Sequence, residues 1–172
     1  MNSNLLSDWL GYINSNRPDE GEFGLERLQK IFTKIVKKPL AKKSIIIGGT
    51  NGKGTTVEYL KNLFLNTNYK VGVYTSPHLI NFNERIQING KNIDDERIIE
   101  AFKEIESIKE ESRLTYFDYA TLAAFYIFSQ EQLDFVILEI GVGGKYDPVN
   151  LINADISIVT NIAVSYTHLR AH

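Results

Sequence analysis

The sequence predicts an α/β fold built on a mostly parallel sheet flanked by helices, and three observations carry that expectation. Short apolar runs with strand character, at residues 44–48, 71–74, 135–140 and 156–160, alternate with segments whose apolar residues recur at helical spacing. The run Phe135-Val136-Ile137-Leu138-Glu139-Ile140 is nearly continuous in apolar character, as in parallel strands covered on both faces. The strand at 44–48 breaks into the turn Gly49-Thr50-Asn51-Gly52-Lys53-Gly54 and then opens a helical pattern, the start of a βαβ unit.

Taken in order, Leu5, Leu6, Trp9, Leu10 and Ile13 follow Ser3 at helical spacing. Leu25, Leu28, Ile31, Phe32 and Ile35 repeat the pattern after a connector at 18–24, and Pro39 is expected to close this second helix. A helix from Thr55 to about Thr67 follows the glycine-rich turn and leads to the strand at 71–74. A loop at 75–84 containing Pro77 precedes the alternating strand Arg85-Ile86-Gln87-Ile88, which ends in the turn dipeptide Asn89-Gly90; these residues are expected to form an insertion over the sheet edge. Ile98, Ile99, Phe102, Ile105 and Ile108 mark an amphipathic helix with Asp94, Asp95 and Glu96 at its positive end. A mostly apolar helix at 118–132 precedes the last two strands, and there is no internal repeat or low-complexity segment.

Composition narrows the function classes. At 172 residues a chain buries about 70% of its unfolded surface, enough for one real core. Hydrophobic residues at 43% and charged residues at 23% argue against disorder. A net charge of −2, with basic runs no longer than a pair such as Lys42-Lys43, predicts no nucleic-acid partner. The absence of cysteine excludes disulfides, thiolate metal sites and cysteine nucleophiles, and it fits a reducing compartment. No apolar run approaches the ~18 residues of a membrane helix, and residues 1–16 lack a basic leader region. The expectation is a soluble, cytoplasmic protein with no membrane partner.

The turn at 49–54 has the features of a phosphate cradle. Glycines allow close approach of backbone N–H groups, the following helix directs its positive end at an anion, and Lys53 supplies a mobile charge. The generic loop G-x-x-x-x-G-K-[ST] does not fit, because it requires glycine at Ile47 and a hydroxyl at Gly54. Glu139 ends a buried strand where open α/β sheets place ligands, so it is suited to hold Mg²⁺ beside phosphates; the alternative is a strand-end carboxylate reaching solvent. Gly141, Gly143 and Gly144 lack dinucleotide-loop spacing, and they serve either to turn Lys145, Tyr146 and Asp147 toward a substrate or as a plain surface turn. Ser76 offers a hydroxyl to a metal, and a lone His78 in this loop reads as a surface or hydrogen-bonding residue rather than a catalyst. Asp118 is a helix N-cap candidate, and beside Tyr116 and Phe117 it also suits a flat hydrogen-bonding heterocycle.

Several motifs occur in one order: Gly24-Leu25-Glu26-Arg27, Gly49-Thr50-Asn51-Gly52-Lys53-Gly54-Thr55, Thr75-Ser76-Pro77-His78-Leu79, Glu84-Arg85, Leu114-Thr115-Tyr116-Phe117-Asp118, and Leu138-Glu139-Ile140-Gly141-Val142-Gly143-Gly144-Lys145-Tyr146-Asp147. With them the chain resembles the bifunctional dihydrofolate synthase/folylpolyglutamate synthase family of Mur-type ligases, from Trp9 to Val164. The resemblance implies a Mur-ligase-like P-loop domain, here truncated, and an ATP- and Mg²⁺-dependent reaction. In it a carboxylate of dihydropteroate or a folate becomes an acyl phosphate, which the amino group of L-glutamate then attacks. It implies that Thr50, Asn51, Gly52 and Lys53 bind ATP phosphates with Gly54 and Thr55 adjoining, and that Ser76 and Glu139 bind Mg²⁺, Lys53 and Glu139 being catalytic. The pterin substrate would meet Phe23, Gly24, Leu25, Thr115, Tyr116, Phe117, Asp118, Tyr146, Asp147 and Pro148, in a monomer.

The chain departs from the family pattern at Asp118, where glutamate is usual, and at Lys145, where arginine is usual. After Asn161-Ile162-Ala163-Val164 the pattern calls for Asp-His, the histidine being a metal ligand, but Ser165-Tyr166 stands there. A two-residue shift placing His168 in that role is not favoured. The expected organisation is an N-terminal helical segment at 1–43, an incomplete ATP-binding α/β domain at 44–164, and a non-native tail at 165–172. The expected function is an ATP-dependent folate ligase of which this chain is the N-terminal nucleotide-binding part, inactive alone. The alternatives are a noncatalytic nucleotide- or pterin-binding module and a Mur-type ligase acting on a peptidoglycan precursor.

Overall fold

The computed structural model describes residues 3–16 and 24–163. The expected connector at 18–24, apart from Gly24, and the tail at 165–172 lie outside the described residues. Two helices come first, α1 (Leu6–Ser15) and α2 (Leu25–Ile35). They are followed by β1 (Lys43–Gly48), α3 (Lys53–Asn66), β2 (Val71–Tyr74), β3 (Ile86–Ile88), β4 (Lys91–Asn92), α4 (Asp95–Ile108), α5 (Tyr116–Ser129), β5 (Phe135–Glu139) and β6 (Ile156–Val159). Short 3₁₀ turns at Phe82–Arg85, Gly144–Tyr146 and Pro148–Leu151 punctuate the loops.

The strands form one sheet in the order β4-β3-β2-β5-β1-β6, with β2, β5, β1 and β6 mutually parallel. The expected mostly parallel sheet is therefore present, but β3 and β4 do not lie over its edge. They continue it, β3 pairing antiparallel with β2 through Tyr74 opposite Ile86. The Asn89-Gly90 turn, whose two residues both take positive φ, 51° and 76°, reverses β3 into β4, so these two strands pair antiparallel as a hairpin. The Asn89 side-chain oxygen also accepts the Val71 N–H at 2.9 Å, which fixes the register.

Side-chain alternation divides the core into two layers. Ile45 and Ile47 of β1 and Ile137 of β5 pack with Val57 of α3 on one face of the sheet. Ile46, Val136 and Leu138 belong to the larger cluster on the other face, which takes in α1, α2, α4 and α5. The near-continuous apolar run of β5 is thus buried on both sides, as its composition requires. Residues on either side of position 43 share that larger core, since Trp9, Leu28 and Phe125 all belong to it.

Helix boundaries differ from the sequence expectation in instructive ways. α2 stops at Ile35, with Val36 extended, earlier than Pro39. Continuing the helix would have placed Pro39, which has no N–H, opposite the Ile35 carbonyl. α3 begins at Lys53 rather than Thr55, because Gly52 adopts the left-handed conformation (φ 82°) as its N-cap. α5 begins at Tyr116 rather than Asp118, because Thr115 is the cap. Among the described residues no helix is long and apolar enough to cross a membrane.

Trp9 joins α1 to this core: it is fully buried, its ring lies 6.0 Å from Phe102, and its indole N–H donates to the Ser3 carbonyl at 3.0 Å. Trp9→Ala is expected to lower unfolding stability by about 3–5 kcal/mol, through lost contact and the cavity left behind. Urea denaturation checks this, and a loss under about 1 kcal/mol would mean that α1 contributes little to the core.

Candidate functional site

The carboxyl ends of β1, β2 and β5 lie side by side at one edge of the sheet, since Tyr74 pairs with Leu138 and Ile47 pairs with Glu139. That edge is where parallel sheets of this kind place ligands. The Gly-rich turn leaves β1 here. Gly49 has φ 136°, and a Cβ on it would lie 2.1 Å from Thr160 Oγ1, so both conformation and space require glycine. Gly52 caps α3 without any side-chain cap, leaving the first-turn amides of Lys53, Gly54 and Thr55 without helical acceptors. Gly54 and Thr55 are exposed, and an open face on the positive end of a 14-residue helix is suited to an anion.

Two of the amides expected at the anion are otherwise engaged. The Thr50 N–H donates to the Asn161 carbonyl and the Asn51 N–H to Asn161 Oδ1, each at 2.9 Å. The Thr50 hydroxyl accepts the Ala163 N–H at 3.0 Å. The backbones of Thr50 and Asn51 therefore anchor the turn to the end of β6, and these two amides are engaged there. The amides of the α3 first turn and the Lys53 side chain are among the donors at this edge that could meet an anion.

Lys53 lies in the first turn of α3, and its ammonium donates to the Gly49 carbonyl at 3.1 Å and approaches Glu139 Oε1 to 3.9 Å. Glu139 is nearly buried, and Oε2 accepts the Ser76 N–H at 3.2 Å. Burial pushes its carboxyl above the ordinary range, while the Ser76 N–H and the Lys53 charge pull it back. Ser76, which precedes Pro77 through a cis peptide bond, has its hydroxyl against Gly141, where a Cβ would meet Ser76 Oγ at 3.1 Å and the Phe117 ring at 2.5 Å. The structure thus brings Lys53, Glu139, Ser76, Phe117 and the α3 terminus together. Among the described residues no group of three His, Asp or Glu side chains is placed to hold a metal. One carboxylate and one hydroxyl nevertheless fit Mg²⁺, which takes few protein ligands and completes its shell with water and phosphate oxygens.

The residues expected at a heterocycle occupy three mutually packed elements: the start of α2, the start of α5 and the turn around Pro148. Gly24 and Leu25 open α2, Thr115, Tyr116 and Phe117 open α5, and Tyr146 is half-exposed. Phe23 lies outside the described residues. Two of the expected contacts turn inward. Asp118 is not the N-cap but the third residue of a capping box, accepting the Thr115 N–H at 2.8 Å while Thr115 Oγ1 accepts the Asp118 N–H. The same carboxylate oxygen is paired with Arg27 Nη2 at 2.8 Å, which clamps α2 to α5. Asp147 is buried, Oδ2 accepting the N–H groups of Gly141 and Val142 at 2.8 and 3.0 Å and Oδ1 that of Val149 at 2.9 Å. It therefore faces the protein rather than a substrate, because three backbone donors in a glycine-rich loop need one acceptor. Pro148 is likewise buried.

Sequence reading assigned no role to several residues that shape this edge. Glu84 accepts the N–H groups of Leu79, Ile80 and Asn81 at 2.7 to 3.0 Å and so fixes the loop carrying Ser76. Arg85, buried between the Phe82 and Tyr116 rings, donates to His78 Nδ1 at 2.7 Å. Burial and that guanidinium hold the His78 imidazole below its ordinary pKa, so it serves as a neutral acceptor. The Thr115-x-x-Asp118 spacing was the available signal for the capping box.

A strand-to-helix turn shaped by glycine, with a lysine and a buried carboxylate at its mouth, gives this α/β fold an edge suited to phosphate. The chain belongs to the Mur ligase family, residues 47–172 matching the Mur ligase middle domain. It is similar to the dihydrofolate synthase/folylpolyglutamate synthase of Escherichia coli K12, 42% identical over 163 residues, covering 94% of this chain and 38% of that relative. Its fold matches the E. coli FolC complex with DHPP and ADP at a TM-score of 0.91 and 40% identity, covering 96% of this chain and 40% of that one. It also matches the bifunctional folylpolyglutamate synthase/dihydrofolate synthase of Yersinia pestis complexed with AMPPNP and Mn ion, at 0.88 and 37% identity, over 94% and 40% of the two chains. The resemblance drawn from the motifs is borne out, and the chain spans about two fifths of the length of the relatives it matches.

Asp147 generates a pH dependence. Burial pushes its carboxyl from 3.8 up to about 7 against the pull of its three N–H donors, with the Asp118 charge adding to the rise. A folded-state pKa above the unfolded value means that folding takes up a proton. Its contribution is therefore fully present below about pH 4 and is lost as pH rises through 7. The difference in unfolding free energy between the wild type and Asp147→Asn, measured by urea denaturation, is expected to shrink from pH 4 to pH 8. A difference independent of pH would contradict a raised carboxyl.

Proposed function

We propose that the chain is the nucleotide-binding part of an ATP- and Mg²⁺-dependent amide ligase that adds L-glutamate to dihydropteroate and to folates. One observation carries this reading: Lys53, Glu139 and Ser76 converge beside the open terminus of α3, in a fold that matches a FolC complex with ADP. In the reaction, a substrate carboxylate oxygen attacks the γ-phosphorus and ADP leaves, giving an acyl phosphate. The glutamate amine then attacks the acyl carbon, phosphate leaves, and the amine proton is released. Neither step needs a protein nucleophile, so the work of this chain is positioning and charge compensation.

The first-turn amides of α3 and the Lys53 ammonium bind phosphate oxygens and offset the charge that builds on the leaving ADP. Glu139 and Ser76 would hold Mg²⁺, which supplies charge neutralisation to the phosphates when bound. Thr50 and Asn51 belong to this set as anchors of the turn, and Asn51 has an exposed side chain. Gly24, Leu25, Thr115, Tyr116, Phe117 and Tyr146 would form the pterin side. Asp118, Asp147 and Pro148 would support it from beneath. The curated relatives favour folate substrates over a peptidoglycan precursor. We further read the protein as a cytoplasmic monomer, with residues 1–43 as the helical segment of the unit at 44–164 and residues 165–172 as non-native. Sequencing the source gene across codons 164–172 tests that last point, and Ser165-Tyr166 read in frame there would overturn it.

Lys53→Ala is expected to weaken Mg·ATP binding to this chain at least tenfold, since a charge-assisted contact contributes about 1.5–3 kcal/mol. Isothermal calorimetry checks this, and wild-type affinity in the variant would remove Lys53 from the phosphate site. Glu139→Gln is expected to raise the Mg²⁺ concentration needed for half-maximal ATP binding several-fold. An unchanged Mg²⁺ titration would take Glu139 out of the metal site.

A further inference from the structure

The Gly-rich turn carries glycines at positions 49, 52 and 54 and is expected to be pliable by itself. Something must hold it so that the α3 amides face outward. The segment after β6 does so from one side. Thr160 Oγ1 donates to the Asn51 carbonyl at 2.7 Å and sits where any side chain on Gly49 would be. Asn161 then uses both of its oxygens, the backbone carbonyl for the Thr50 N–H and Oδ1 for the Asn51 N–H. The Ala163 N–H closes the set on the Thr50 hydroxyl.

With two consecutive amides tied to one residue, the turn continues through left-handed Gly52 into α3. We infer that Asn161 is a positioning residue of the phosphate site: by holding the Thr50 and Asn51 N–H groups it sets which amides of the turn can bind a ligand. An asparagine suits the task because Oδ1 is a neutral acceptor with the reach to meet a backbone amide. An aspartate would accept the same bond but bring negative charge toward a polyphosphate. The inference rests on the nucleotide reading above.

The test combines amide exchange with nucleotide binding on the 172-residue chain. In the nucleotide-free wild type, Thr50 and Asn51 amides should exchange slowly, and Mg·ADP should add protection at residues 53–55 and not at these two. Asn161→Ala should lose Asn51 protection and bind Mg·ADP about five- to tenfold more weakly, the effect of one lost hydrogen bond transmitted to the site. Asn161→Asp should keep the Asn51 protection. Lys53→Ala is the control on the site itself. Free exchange of Asn51 in the wild type overturns the inference, and so does Asn161→Ala binding within twofold of wild type while Lys53→Ala loses binding. If the wild type and Lys53→Ala bind alike or not at all, the nucleotide reading fails and this inference falls with it. Should Asn161→Ala not fold, Asn161→Asp decides, since rapid exchange of Asn51 in that variant contradicts an acceptor role.

Discussion

The parallel register of β1 against β5, with Ile47 opposite Glu139, is the constraint on which the site depends. Side chains along β5 alternate between the layers: Val136 and Leu138 pack toward α5, while Ile137 packs toward α3. Glu139 follows Ile137 in phase and so emerges on the α3 side, where Lys53 opens that helix. A slip of one residue would send Ile137 to the wrong layer and move Glu139 away from the Gly-rich turn. Two buried faces forbid that slip, so the core that stabilises the sheet also aims the carboxylate.

Three carboxylates are nearly buried around this edge, and they are satisfied to different extents. Asp147 accepts three backbone N–H groups and Asp118 a backbone N–H together with a guanidinium. Both are therefore local fasteners, their acceptor capacity turned into holding a loop or a helix end. Glu139 accepts a single N–H, and its cation stands 3.9 Å away, beyond hydrogen-bond distance. A carboxylate has about four acceptor directions. The one left least satisfied in a desolvated position is the one suited to a further cation, which separates Glu139 from its neighbours on physical grounds.

β1, β2 and β5 were legible because burial on two faces demands continuous apolar runs, and the turn after β1 because few residues besides glycine adopt its backbone. Helix ends were less legible. Asp118 fits a cap in isolation, but Thr115 at the correct spacing holds that place, and propensity does not choose between two capping residues three apart. The inward direction of Asp147 was not legible at all. It depends on three amides gathered from either side of it, and no local pattern records them. Asn161 was hidden for the same reason, its partners lying 110 residues earlier in the chain.

The division of the sheet also explains where rigidity is concentrated. One face carries α1, α2, α4 and α5 over the larger core, and the other carries α3 alone over a smaller one. β6 is the edge strand on the β1 side, largely exposed, with Ile156 50% and Val159 63% accessible. Little side-chain burial holds it, so its end is fixed mainly by backbone pairing with β1 and by the hydrogen bonds to the Gly-rich turn. Segments with exposed ladders and few apolar contacts open at lower free energy than the core. Among the described residues, the turn and the end of β6 therefore restrain each other. In contrast, Glu139 and Ser76 rest on β5 and β2, two strands buried on both faces. This edge thus joins a rigid half carrying Glu139 and Ser76 to a half at the Gly-rich turn whose shape depends on the last described strand.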